Sequence, residues 1–291
     1  MQGVGASFAF VAAAVLIAQW FPKRKFPIYF GLTQTISCFS AGVIHYFFAI
    51  ALTRYSWNEI YLGLALFGFI LLILSWLFIT SPPEKERGVI SLKQSLNLVL
   101  HNKQMWLCSL AAATSFGVLL AYAGLWYMKI QAYYSVAELQ AVIISALIFA
   151  GIGSGTPVLG WLSNLVHSRT MIVHTTLALG TMALLAGIYL PHFDINNLII
   201  IKVISFLIGF LLSGSMLFYT MVSEMANNAI RGVALSMLNT IVFALNSIML
   251  FIPYLFITTT SRDFFTYLWI FPFLVIFSLL LIYFIKDTYS T

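Results

Sequence analysis

Long apolar blocks separated by short polar connections run through almost the whole chain. Because a backbone in lipid must satisfy its own hydrogen bonds, and because the blocks lack the alternation of barrel strands, each predicts a helix. Each block is close to the length of about 20 residues that a helix needs to cross a bilayer. The nine predicted spans are 3–21, 28–52, 58–80, 105–128, 138–163, 171–190, 198–223, 231–257 and 264–285. The pattern predicts an all-α polytopic membrane protein with nine transmembrane helices.

One polar stretch, 81–104, interrupts this pattern and leaves three blocks before it and six after it. It holds six of the 22 charged residues, which are 14 basic and 8 acidic. We therefore predict three parts, in a 3+6 arrangement. They are a partial amino-terminal bundle over 1–80, a cytoplasmic linker over 81–104 and a six-helix bundle over 105–291.

The linker contains a helix signal. Ser91 and Gln94 have the spacing of a capping box, in which each side chain bonds to the backbone of the other residue. Leu92, Leu96 and Val99 then recur at helical spacing. These residues predict a short amphipathic helix lying on the membrane surface, with a soluble linker helix as the alternative.

Composition supports a membrane protein and narrows its partners. Apolar residues make up 62% of the chain and charged residues 8%, against about 25% charged residues in soluble domains. The net charge of +6 comes from lysines and arginines that collect in alternate loops, ten on one side and four on the other. This asymmetry argues against nucleic-acid binding and places the richer side in the cytoplasm, with the amino terminus outside.

The expected partners are therefore the lipid bilayer and a small-molecule solute, in a plasma membrane or bacterial inner membrane. The pattern leaves the oligomeric state open and is compatible with a monomer. Cys38 and Cys108 lie within apolar blocks, which favours small core residues over a disulfide or a metal site. We predict no metal and no cofactor.

Polar residues are unevenly shared among the predicted spans. Spans 58–80 and 264–285 have few, which is typical of lipid-facing helices, whereas five others carry polar stripes. Polar side chains within a membrane usually face the bundle interior or a cavity, although many simply bond between packed helices. The candidate residues of a solute cavity are Gln34, His45, Tyr122, Trp126, Lys129, Asn239 and Asn246.

Each candidate has an expected role and an alternative. The amides are expected to hydrogen-bond a solute, and Tyr122 and Trp126 to form a stacking wall. Lys129 would favour an anion if it points inward, but a lysine at a span end can also reach the interface. His45 fits a hydrogen-bonded core residue or a proton carrier.

Two loops carry a family resemblance. The loop from Gly160 to Arg169 is similar to the cytoplasmic signature of the major facilitator superfamily, which has a glycine, three residues, an aspartate and a basic cluster. Asn164 stands at the aspartate position. The loop from Glu224 to Arg231 resembles the family's connection between helices ten and eleven. The segment 20–32 and Trp57 resemble the approaches to helices five and six.

The resemblance implies two helix bundles joined by a cytoplasmic loop. The six spans after 104 would be a complete second half. The three before 81 would be the fourth to sixth helices, so that three family helices would be missing. It also implies gating loops that contain Gly160, Asn164, Arg169, Glu224 and Arg231.

Physical chemistry gives the loops a reason. Glu224 lies at a predicted helix C-terminus, where the helix dipole disfavours an anion. Arg231 or Arg169 could supply the cation, and an ion pair across two cytoplasmic loops could hold the two halves in one state. The alternative is a solvated surface charge that contributes little.

Three functions compete. The first is a carrier that moves a small polar solute by alternating access, without enzymatic activity. The second is a truncated, non-transporting fragment of such a carrier. The third is a membrane-embedded transferase that uses His101, His167 or Glu224, whose spacing matches no metal-binding or acyl-transfer motif.

Overall fold

The computed structural model describes residues 2–51, 54–80, 90–193, 197–256 and 262–289. Within these ranges the secondary structure is helical. The helices are α1 Gln2–Trp20, α2 Phe26–Ala51, α3 Trp57–Phe78, α4 Leu92–Leu100, α5 Lys103–Ala112, α6 Val118–Leu125, α7 Gln131–Tyr133, α8 Glu138–Leu165, α9 Arg169–His192, α10 Leu198–Leu212, α11 Leu217–Met225, α12 Arg231–Phe256, α13 Arg262–Leu268 and α14 Ile270–Ile282. Two π-helical turns, Ala113–Gly117 and Trp126–Ile130, join α5, α6 and α7 into one continuous segment.

Seven helical segments in the described residues are long and apolar enough to cross a membrane. They are Trp57–Phe78, Lys103–Leu125, Glu138–Leu165, Arg169–His192, Leu198–Met225, Arg231–Pro253 and Phe264–Ile282. The predicted spans 3–21 and 28–52 correspond to α1 and α2, which are helices but are not among the seven. The predicted count of nine transmembrane helices is therefore not confirmed.

Side-chain caps fix where several helices begin. The predicted capping box is confirmed, since the Gln94 amide donates to Ser91 Oγ at 3.2 Å and the Ser91 amide donates to Gln94 Oε1 at 3.0 Å. Ser56 and Glu59 form a second capping box at α3, and Ser168 caps α9. Each cap satisfies backbone amides that would otherwise lack a partner in the first turn.

The packed core lies among the helices after residue 104, with α8 between α2 and α10. Small residues on opposite faces of α8 allow both neighbours to approach closely. A Cβ atom at Gly151 would lie 2.3 Å from the Phe206 carbonyl oxygen of α10. By contrast, α3 has no buried residue, as expected of the predicted lipid-facing helix.

The linker helix α4 lies beside α1 and α12. Val99 on α4 is buried, whereas Leu92 and Leu96 are exposed at the edge of a groove between these helices. Residues 81–89, which hold four of the linker's six charges, lie outside the described residues.

Candidate functional site

Four basic side chains mark one end of the bundle, which we call the basic end. Lys23 and Arg24 lie between α1 and α2, Arg169 begins α9, and Arg231 begins α12. The last turns of α8 and α11 and the residues after α14 reach the same end. The loops that the sequence assigned to gating are therefore close in space.

Arg169 and Glu224 form an ion pair at this end. Arg169 Nη2 donates to Glu224 Oε1 at 2.9 Å, and the two side chains are 1% and 8% exposed. Arg169 Nη1 also donates to Ser163 Oγ at 2.6 Å and to Asn164 Oδ1 at 2.7 Å. Because buried charges are costly unless paired and hydrogen-bonded, this set of partners is what lets Arg169 stay buried.

Glu224 has two further contacts. Thr288 Oγ1, beyond the end of α14, donates to Glu224 Oε2 at 2.5 Å. Lys23 Nζ donates to the Glu224 backbone oxygen at 3.5 Å. Both carboxylate oxygens are thus engaged, one by Arg169 and the other by Thr288.

Arg231 does not pair with Glu224, so the structure selects Arg169 from the two predicted cations. Arg231 Nε donates to the Ser223 carbonyl at 3.1 Å, and Nη2 to the Ala226 carbonyl at 3.2 Å. Its Nη1 donates to Asn228 Oδ1 at 2.7 Å. Arg231 therefore satisfies carbonyl groups at the end of α11, where such groups lack helical partners.

The prediction that the ion pair joins the two halves is wrong in its geometry. Arg169 and Glu224 both belong to the part of the chain after residue 104. Contacts between the two parts are made by neighbouring groups instead. Asn164 Nδ2 donates to the Arg24 carbonyl at 2.9 Å, and Lys23 reaches the backbone of α11.

Asn164 uses both ends of its amide. Its oxygen accepts from Arg169 and its nitrogen donates to Arg24. An aspartate, the residue that the family signature has here, could accept from Arg169 but could not donate to a carbonyl when ionised. The departure from the signature therefore has a structural role in joining two loops.

The close approach of α2 and α8 lies next to this network. A Cβ atom at Gly31 would lie 2.6 Å from Pro157 Cα, and one at Gly160 would lie 2.8 Å from the Pro27 carbonyl oxygen. Thr35 Oγ1 donates to the Gly153 carbonyl at 2.5 Å. Such backbone contact through small residues is typical of helix packing in membranes. The predicted gating residue Gly160 thus lies where α8 meets the start of α2.

An aromatic cluster lies deeper in the bundle, formed by Phe10, Phe30, Phe116 and Tyr219. The Tyr219 ring lies 5.3 Å from that of Phe10, 5.6 Å from that of Phe30 and 6.5 Å from that of Phe116. Its hydroxyl donates to Asn239 Oδ1 at 3.0 Å. The cluster thus links α1 and α2 to α11, with the predicted residue Asn239 bonded to its centre.

The other cavity candidates lie in different surroundings. Gln34 is buried on α2, one residue from the Thr35 contact with α8. Asn246 on α12 has a buried Oδ1 without a hydrogen-bond partner. Lys129 is half-buried in the second π-helical turn. His45 is part of α2, but its side chain lies outside the described residues.

Tyr122 and Trp126 are buried within the helices after residue 104. The Tyr122 ring meets Phe271 of α14 edge to face at 5.7 Å, and a Cβ atom at Gly187 of α9 would lie 3.3 Å from its hydroxyl. The Trp126 ring lies 6.3 Å from that of Tyr134. These two rings contact each other's helical neighbours rather than the aromatic cluster, and a shared solute cavity stays a prediction.

The largest cavity among the described residues has a volume of about 870 Å³ and is open to the outside. It lies between α1, α4 and α12, and its lining is mainly apolar, with Leu96, Trp106 and Met237 among its residues. None of the cavity candidates with a described side chain lines it. Between α2 and α8, by contrast, the gap beside Phe30 and Thr156 has no room for a water molecule.

The functional residues that sequence analysis missed are Tyr219 and the carboxy-terminal group Asp287, Thr288 and Tyr289. Tyr219 is one of many aromatic residues in apolar blocks, so its pairing with Asn239 leaves no local signal. Asp287 follows a lysine after an apolar block, which is an ordinary helix exit. Only its position in space, beside Ser168 and Thr170, reveals its partners.

Comparison with known proteins gives one match. A family model described as Major Facilitator Superfamily matches residues 1–251, which is most of the chain. No curated protein matches the sequence. With its seven long apolar helices, the chain is an integral, multi-pass membrane protein. The resemblance predicted from the loops is confirmed, and the chain belongs to the Major Facilitator Superfamily.

Proposed function

We propose that this protein is a secondary carrier that moves a small polar solute by alternating access, in a plasma membrane or bacterial inner membrane. Family membership supports transport rather than enzymatic chemistry. The main structural support is the interface between α2 and α8. It is closed at the basic end through Gly31 and Gly160, and it is built so that it can open.

The contacts across this interface are inexpensive to break. Thr35, Asn164 and Lys23 all donate to backbone carbonyl oxygens on the other side. Such hydrogen bonds contribute a net of about 0.5–1.5 kcal/mol each, because water replaces them when the surfaces part. Opening the basic end in this way leaves no buried charge without its partner.

The Arg169–Glu224 pair is suited to move as part of one body. Both partners lie on helices that follow residue 104, so α2 can leave α8 without separating them. Breaking a buried pair costs about 3–5 kcal/mol, whereas keeping it avoids that cost in both states. We propose that the pair keeps the ends of α8, α9 and α11 in register while the basic end opens and closes.

Buried hydrogen-bonding groups support a polar solute. Gln34 and Asn239 lie near the α1–α2 side of the interior, and the Asn246 oxygen lacks a partner. A solute with a donor group could satisfy that oxygen, because a buried polar atom without a partner is costly. The anion preference of Lys129 stays a prediction.

The test is a cross-link between α2 and α8. Only Cys38 and Cys108 occur in the chain, and a Cβ atom at Gly153 would lie 3.1 Å from Cys38 Cβ. Gly153→Cys should therefore form a disulfide with Cys38, whose usual Cβ separation is about 3.5–4.5 Å. The purified variant is placed in proteoliposomes and offered labelled sugars, amino acids and organic anions.

Flux of one of these solutes is expected in the reduced variant, loss of that flux on oxidation, and its return with a reductant. The matched control is Gly153→Cys with Cys38→Ala, which oxidation should not affect. Absence of flux for every solute in the panel would contradict the carrier. Unchanged flux despite a complete cross-link would contradict separation of α2 from α8.

A further inference from the structure

The residues after α14 turn back across the basic end. Phe284 and Lys286 are held by one side chain at the start of α5. Gln104 Nε2 donates to the Phe284 carbonyl at 3.1 Å, and the Lys286 amide donates to Gln104 Oε1 at 2.9 Å. This two-point contact fixes the direction in which the segment leaves α14.

Asp287 then binds the start of α9. Its Oδ2 accepts from Ser168 Oγ at 2.5 Å, from the Thr170 amide at 3.0 Å and from Thr170 Oγ1 at 2.7 Å. A carboxylate is favoured there because the N-terminus of a helix carries a partial positive charge. Arg169, the residue between these two partners, is thereby held in place.

The next two residues contact both members of the ion pair. Thr288 is buried and donates to Glu224 Oε2 at 2.5 Å, opposite the oxygen that accepts from Arg169. The Tyr289 ring lies 5.0 Å from the Arg169 guanidinium carbon and 5.8 Å from that of Arg24. Guanidinium groups at such distances from an aromatic ring are attracted by its electron-rich face.

Tyr289 therefore connects two parts of the chain. Arg24 belongs to the connection between α1 and α2, whereas Arg169 belongs to α9. A single ring holds both, in addition to His167, whose ring meets it edge to face at 5.0 Å. When α2 leaves α8, the Arg24 contact must break.

We propose that residues 284–289 form a carboxy-terminal strap that keeps the basic end closed, in which Thr288 positions the Glu224 carboxylate and Tyr289 attaches Arg24 to Arg169. The consequence for transport rests on the proposed function, but the effect on closure does not. The strap thus provides a point at which the opening of this end is controlled.

The test measures how readily a buried position between α2 and α8 becomes accessible. Gln34→Cys is introduced with Cys38→Ala and Cys108→Ala, and its labelling by N-ethylmaleimide is timed in purified protein. Thr288→Val or Tyr289→Ala should raise the labelling rate by about tenfold, since a hydrogen bond to a charged group contributes at least that factor. Thr288→Ser and Tyr289→Phe, which keep the hydroxyl or the ring, should label like the parent.

The matched control is Thr175→Val. Thr175 lies on α9 and is exposed, and its hydroxyl bonds within its own helix, to the Met171 carbonyl at 2.9 Å. It should label like the parent. Equal rates for Thr288→Val, Tyr289→Ala, Thr175→Val and the parent would overturn the strap.

Flux measurements separate this outcome from failure of the carrier. If no solute in the panel is transported but Thr288→Val and Tyr289→Ala still raise labelling and their conservative partners do not, the strap stands and the carrier function is wrong. If the parent transports a solute and the strap variants change neither labelling nor flux, the strap is wrong and the carrier stands.

Discussion

The ion pair between Arg169 and Glu224 makes a quantitative prediction about which arginine supports Glu224. Both side chains are almost fully buried, at 1% and 8% exposure. Glu224→Ala removes the acceptor from Arg169 Nη2 and from Thr288. Removing one member of a buried pair costs about 3–5 kcal/mol, because the remaining charge stays buried without its partner.

The double-mutant cycle isolates the contact itself. Arg169→Met should cost a similar amount, since it leaves the Glu224 carboxylate with Thr288 alone. The double variant should cost little more than either single one, because no unpaired charge remains. The expected coupling free energy is therefore about 2–3 kcal/mol, the upper part of the range for residues in contact.

Arg231 supplies the matched control. It is also buried and also lies at the basic end, but its donors are used by Ser223, Ala226 and Asn228. Its coupling to Glu224 should stay below about 0.5 kcal/mol, the limit within which independent sites add. The free energy of unfolding is measured in mixed micelles with rising dodecyl sulfate and followed by circular dichroism. Equal coupling of Glu224 to both arginines would refute the assignment.

Three more changes test the basic end. Asn164→Asp keeps the acceptor for Arg169 but loses the donor to Arg24, so labelling of Gln34→Cys should rise severalfold, and an unchanged rate argues against this joint. Gly31→Ala should destabilise the fold by about 1–3 kcal/mol in the same unfolding assay, because its Cβ would lie 2.6 Å from Pro157 Cα. Burial raises the pKa of Asp287, but hydrogen bonds from Ser168, Tyr289 and Thr170 outweigh it and lower the pKa to about 2. The stability difference between the parent and Asp287→Asn should therefore be present at neutral pH and shrink as the pH falls from about 4 to about 2; a difference independent of pH contradicts it.

The Gly31 substitution has its own control. No atom lies within 4 Å of the position that a Cβ atom would take at Gly63 on α3. Gly63→Ala should therefore be neutral or slightly stabilising, as expected when alanine replaces glycine in an open helix. A loss of stability at both positions would show that the cost comes from helix chemistry and not from the contact between α2 and α8.

Local signals in the sequence predicted the local structure well. Ser91 and Gln94 are three residues apart, so their mutual caps depend on the helix start alone. The seven long apolar helices follow from block length for the same reason. The resemblance of the 160–169 loop also located the cluster around Arg169 before any coordinates.

Long-range pairing could not be read in this way. The contact of Thr288 with Glu224 joins residues 64 apart, and that of Asp287 with the Thr170 amide joins residues 117 apart. Helical spacing shows which side chains share a face but not which neighbour covers that face. Tyr122 illustrates the difference, since its predicted polar stripe faces Phe271 of α14.

The amide at position 164 has a consequence for the conditions under which the protein works. A carboxylate there would change its charge in acid and would be weakened by salt, as exposed charges are. The Asn164 side chain carries no charge and does not titrate, yet it satisfies Arg169 on one side and Arg24 on the other. This joint between the two loops is therefore expected to hold equally well across changes of acidity and ionic strength around the membrane.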